Sequence, residues 1–168
     1  EGEATLVELL GALADAGGGP PDLSVVAGLP YRDHRTGAIV RTADRERSTE
    51  LDLLPSPYLS GEFDHLDATA WTPEGGVLGL VIETNRGRPY GCTFCDWGSS
   101  TLSRIRKFSL ERVEAEMRWA ASHGHHGWVI ADANFGIVAR DVEIARRLAS
   151  VKADLGAPST LGFNVAKN

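Results

Sequence analysis

Cys92 and Cys95 are the only cysteines in this 168-residue chain, and they stand two residues apart in the run Gly91-Cys92-Thr93-Phe94-Cys95-Asp96-Trp97. Two thiols at that spacing can share one metal or one redox couple. Iron–sulfur clusters take cysteine thiolates as ligands, and C-x2-C also forms half of many zinc sites. In a reducing compartment the same pair can cycle between dithiol and disulfide. The spacing alone leaves all three chemistries open. Arg88 stands four residues before Cys92, and its guanidinium has no lone pair to offer a metal.

Other residues carry chemistry in pattern. Asp132-Ala133-Asn134-Phe135-Gly136 offers an acid and an amide at a strand end, where they serve either a ligand or a turn. Glu83, Thr84 and Asn85 close an earlier strand and either line a site or shape the loop that follows. Asp96 adjoins the cysteines, but carboxylate matches iron–sulfur chemistry less well than thiolate. Trp97 shields a nearby site or is simply buried. Arg104, Arg106 and Lys107 read as a solvated basic face near a helix start. Asn164 and Lys167 lie at or beyond the last strand.

Regular elements must position these groups. Thr5 and Glu8 fit a capping box for a first helix with Leu6, Leu9, Leu10 and Leu13 on one stripe. Gly17 to Pro21 breaks it. Leu23 to Ala27 reads as a strand, Asp33 to Gly37 as a turn, and Ala38 to Thr42 as the returning strand of a hairpin. Leu51 to Leu59, with Pro55 and Pro57, is an extended connector. The pattern then changes. Val77 to Thr84 is a strand and the cysteine loop follows it. Ser109 caps a helix with Leu110, Val113 and Met117 on one face. Gly127 to Ala133 is a strand. Asp141 caps a helix with Ile144, Leu148, Val151 and Leu155 inward. Thr160 to Val165 is a third strand. Strand–helix–strand–helix–strand predicts a parallel α/β sheet.

Active sites of such sheets gather at the carboxyl ends of the strands, which is where the cysteines and Asp132-Asn134 fall. His123, His125 and His126 fall at the other end. A strand of about eight residues rising roughly 3.3 Å each separates them from the cysteines by roughly 25 Å. They read as an exposed turn at a helix carboxyl end, where histidine is favoured.

Composition sets the class. The chain is 42% hydrophobic and 24% charged, ordinary for a globular protein. A formal net charge of −6 argues against general nucleic-acid or membrane-surface binding. No apolar run spans a bilayer and no signal peptide stands at the start, so a cytoplasmic protein is expected. The first and last residues read as cut points within a longer protein.

The run Glu83 to Trp97, with cysteine in place of Arg88, would read C-x3-C-x2-C with Phe94 before the last cysteine. It resembles the cluster loop of radical S-adenosylmethionine (SAM) enzymes, and Asp96-Trp97-Gly98-Ser99 is similar to the subgroup with a preceding cobalamin-binding domain. Gly2-Glu3-Ala4-Thr5 resembles the exit of that domain, Leu53 with Pro55-Ser56-Pro57-Tyr58 its connector, and Asp132 to Gly136 a segment lining the SAM site. The resemblance implies an α/β fold: a partial (β/α) barrel of first βαβαβ units over residues 71–168. Residues 1–70 would hold the end of a cobalamin-binding domain, a hairpin and the connector. It implies Cys92 and Cys95 as metal ligands, two of the three thiolates that hold a [4Fe–4S] cluster in such enzymes. It implies Phe94, Asp132 and Asn134 as SAM contacts. It further implies cobalamin in the parent protein, a flavodoxin or ferredoxin as electron donor, and a small-molecule or peptide substrate methylated at carbon. Arg88 at the first cluster position leaves a second reading, a degenerate or truncated paralogue without a working cluster.

Overall fold

In the computed structural model, residues 2–65, 79–88 and 103–165 are described. They form two compact units that divide between Ser48 and Thr49. The boundary expected near residue 70 falls in residues 66–78, outside the described residues.

The first unit opens with α1 (Glu3–Asp15), whose N-cap position is Gly2, without a side-chain cap. The expected capping box is not formed. Thr5 lies inside the helix and donates its hydroxyl to Ala27 O at 3.0 Å, while Glu8 pairs with Arg45. Both side chains tie the helix to later chain rather than to its own amides. Leu6, Leu10 and Leu13 are about half exposed. The strand expected at Leu23–Ala27 is a 3-10 turn over Leu23–Val25. Asp22 causes it: its carboxylate accepts from Ser24 N at 3.0 Å and Ser24 Oγ at 2.6 Å, a local bond that competes with a strand ladder. The hairpin forms instead between β1 (Pro30–Arg32) and β2 (Ile39–Arg41), with Tyr31 opposite Val40. Asp33 closes its turn by accepting from Arg35 N and Thr36 N at 2.9 and 2.7 Å.

The second unit holds β3 (Leu80–Ile82), β4 (Asn85–Arg88), β5 (Ser103–Lys107), α2 (Leu110–Ser122), β6 (Gly127–Phe135), α3 (Arg140–Leu155) and β7 (Thr160–Val165). Strands β3, β6 and β7 form a parallel sheet in that order, with Ile82 opposite Ile130 and Ile130 opposite Phe163. This is the expected α/β topology. Ser109 caps α2 as expected, its hydroxyl accepting from Arg112 N at 3.2 Å. One sheet face packs on α2 and α3 through Ile82, Trp128, Val113, Met117, Ile144 and Val151, each at most 1% exposed. Val81 and Val129 on the other face are 50% and 41% exposed. Leu155 is outward at 43%, because α3 ends there at Gly156.

Two features depart from the expected pattern. The basic run before α2 is a strand, β5, paired antiparallel with β4 through Asn85–Lys107 and Arg86–Arg106. Asp141 does not cap α3 through its own first turn. Its carboxylate reaches back to Gly136 N at 2.7 Å and Val138 N at 3.2 Å, and so fixes the turn leaving β6.

The connector is a strap along α2. After a 3-10 turn at Leu51–Leu53, Asp52 accepts from Ser109 N at 3.0 Å at the start of the helix. Leu54 O accepts from Arg112. Tyr58 stacks at 5.2 Å on Trp119, and its hydroxyl donates to Val81 O on β3 at 2.6 Å. Asp64 accepts from Trp119 Nε1 at 2.9 Å near the helix end. Among the described residues no helix is long and apolar enough to cross a membrane.

Candidate functional site

The carboxyl ends of β3 and β6 meet at Asp132. Alternation along β6 buries Trp128, Ile130 and Asp132 on the helix side of the sheet and leaves Val129 and Ala131 outward. Asp132 is 1% exposed. Its Oδ1 accepts from Thr84 N at 2.8 Å and Asn85 N at 3.2 Å; its Oδ2 accepts from the Thr84 hydroxyl and from Asn85 Nδ2 at 2.7 Å. Burial pushes its carboxyl above the ordinary range, against the opposing pull of the Thr84 and Asn85 hydrogen bonds, and Asp141 adds to the rise. Thr84 and Asn85, expected either to line the mouth or to support the loop, are themselves buried and bound to this carboxylate.

Asn134 is two residues farther along, half-buried, and its side-chain nitrogen is enclosed without a hydrogen-bond partner among the described residues. An enclosed amide donor left open is available to a ligand. Arg140, at the start of α3, donates Nη1 to Phe108 O at 2.8 Å; its Nε and Nη2 are enclosed and have no partner among the described residues. No local pattern points to Arg140 at this mouth, because the residue it meets lies 32 positions away. Glu83 binds Arg86 at 2.9 Å, and the Arg86 and Arg112 guanidinium carbons lie 5.8 and 4.5 Å from the Phe108 ring centroid. Arg104 and Lys107 are exposed, as a solvated face requires.

Cys92, Phe94 and Cys95, with Asp96 and Trp97, lie in residues 89–102, outside the described residues, as does Lys167. The described chain enters that segment at Arg88 and leaves it at Ser103, which are register partners in β4 and β5. Asn164 is exposed on β7.

The histidines lie at the opposite end of the sheet. His123 stacks on Trp119 with centroids 4.2 Å apart, its Nδ1 is 2.8 Å from Trp119 O, and His125 lies 5.6 Å from the same ring. Among the described residues no group of three or more His, Cys, Asp or Glu could hold a metal ion.

No family model matches the chain. It is 44% identical over its whole length to the cobalamin-dependent radical SAM methyltransferase TokK of Streptomyces tokunonensis. It is 46% identical, again over its whole length, to 2-(S-pantetheinyl)-carbapenam-3-carboxylate methyltransferase of Streptantibioticus cattleyicolor. The chain spans about a quarter of the length of these curated relatives, 24% of each. Among solved structures, the cobalamin-dependent SAM radical enzyme OxsB matches 98% of this chain and 22% of its own, with TM-score 0.63 and 22% identity. The radical SAM methyltransferase TsrM from Kitasatospora setae matches 91% of this chain and 28% of its own, with TM-score 0.58 and 20% identity. Those two likenesses speak to fold. The cofactors of this group of enzymes are SAM, a [4Fe–4S] cluster and cobalamin. By its sequence likeness along the whole chain, the protein belongs to the cobalamin-binding subgroup of the radical SAM enzymes.

Proposed function

We propose that this chain corresponds to the cluster-loop segment of a cobalamin-dependent radical SAM methyltransferase that methylates a carbon centre of a small molecule. The identity of 44–46% along the whole chain to two methyltransferases carries this reading. Residues 1–70 would be the tail of the cobalamin domain, the hairpin and the connector; residues 71–168 would begin the partial barrel. Cys92 and Cys95 are the proposed metal ligands, and Phe94 and Asn134 the proposed SAM contacts. The enclosed amide of Asn134, without a partner of its own, supports that role. A pantetheinylated carbapenam carboxylate, the substrate class in one relative's name, is the first to try. A flavodoxin or ferredoxin is the proposed electron source.

The chain's donor set does not complete the cluster. It contains two cysteines, one thiolate short of three, and Arg88 occupies the first ligand position of the motif. A guanidinium cannot coordinate iron. This observation favours a second reading, a paralogue without a working cluster. Reductive cleavage of SAM is the chemistry such a cluster supplies when bound.

Anaerobic reconstitution with iron and sulfide separates the readings. Under the first, Arg88→Cys raises bound iron to about four per chain and gives a paramagnetic signal that shifts on adding SAM. A chain that binds no iron even as Arg88→Cys removes the enzyme reading. Zinc held at one per chain or per pair of chains, with iron refused, leaves a two-cysteine zinc site.

A further inference from the structure

A buried carboxylate marks either a ligand site or a joint, and the surroundings of Asp132 decide between them. A carboxylate offers about four lone-pair positions. Thr84 and Asn85 fill them with two backbone amides, one hydroxyl and one side-chain amide. The group is 1% exposed and faces the helix side of the sheet. Thr84 O in turn accepts from Phe108 N at 3.1 Å. Asn85 begins β4 and Phe108 directly follows β5, so the bonds reach both roots of the hairpin.

We propose that Asp132 is a positioning residue: acting through Thr84 and Asn85, it holds both roots of the β4–β5 hairpin and sets where the segment bearing Cys92 and Cys95 leaves the sheet. It does so in place of the direct SAM contact expected from the sequence. The joint rests on the hydrogen bonds; its functional consequence rests on the reading of Cys92 and Cys95 as metal ligands.

Hydrogen–deuterium exchange of the chain, read residue by residue, tests the joint. Asp132→Asn preserves size but turns an N–H donor toward donors. The amides of Thr84, Asn85 and Phe108 should exchange about ten- to a hundredfold faster, while those in the middle of α3 stay unchanged. The milder Thr84→Val removes only the hydroxyl donor and should move the same amides in the same direction; Thr84→Ser should restore them. Unchanged exchange at Thr84 and Asn85 in Asp132→Asn overturns the proposal. Metal bound per chain after anaerobic reconstitution, read with Arg88→Cys present to supply the third thiolate, distinguishes positioning from general support. It should fall several-fold in Asp132→Asn and hold steady in Ile130→Val, which trims the core on the same strand. Equal losses in both variants overturn the positioning role. Cys92→Ala, added to Arg88→Cys, tests the metal assignment separately: if its bound metal matches that of Arg88→Cys alone, the functional link fails, and the exchange data still judge the joint.

Discussion

At the carboxyl end of the parallel sheet, Asp132 is 1% exposed and its carboxylate is saturated by two neighbouring residues. At the amino end, His123 and His125 are only half-buried and both stack on Trp119, whose Nε1 donates to Asp64. Both clusters gather polar side chains far apart in sequence. The first joins strands through charge-assisted bonds in a dry setting, where each lost partner leaves a donor stranded. The second joins a strap to a helix through ring area and a solvent-facing acid, where water can replace what is removed. The contrast separates a joint that fixes backbone direction from a clasp that adds stability.

Breaking the joint should cost most. Asp132→Ala strands four donors and should destabilise the fold by about 3–5 kcal/mol, read from urea unfolding. Trp119→Ala removes the Tyr58 and His123 contacts and the Asp64 bond together. Because the ring is only partly buried, its loss should cost about 2 kcal/mol. Asp52→Ala frees Ser109 N at the start of α2 and should cost about 0.5–1 kcal/mol. A cost above that of Trp119→Ala would put the weight of the strap at its other end.

The smallest effect is a pH slope that differs in sign between the two clusters. Burial depresses the imidazole pKa of His125, with His123 and His126 adding to the fall. The folded chain then binds fewer protons than the unfolded one below the ordinary histidine value of 6.5. Stability should therefore drop as pH falls from 6.5 toward the lower folded value, and His125→Asn should flatten that slope. Asp132 is shifted up, so its contribution runs the other way: stability drops as pH rises from the ordinary carboxylate value of 3.8 to the folded one. Urea midpoints across about pH 4 to 7.5 would resolve the two windows.

Periodicity made the second unit legible. The apolar positions of α2, β6, α3 and β7 repeat at helical or strand spacing over long runs, and each element formed close to its expected bounds. Local side-chain chemistry was harder to read. Asp22, Thr5 and Asp141 each have a choice of amides and carbonyls to bind, and sequence spacing does not say which one tertiary packing presents. The β4–β5 hairpin was missed because Asn85-Arg86-Gly87-Arg88 and Arg104-Ile105-Arg106-Lys107 lack an apolar face; their pairing follows from the chain being pinned at Thr84 and Phe108. At the site, Asp132 and Asn134 were picked out, but the distinction between a saturated carboxylate and an open amide exists only in three dimensions.

The strap has a practical corollary for trimming this chain. Residues from Leu51 onward plug the core, steady both ends of α2 and supply the phenol that occupies a carbonyl of β3. A shortened version that starts at residue 71, where the barrel was expected to begin, would lose all of these at once. Its first strand would present an unsated edge to other molecules, and self-association is the failure to watch for. A version retaining Thr49 and everything after it keeps all three contacts.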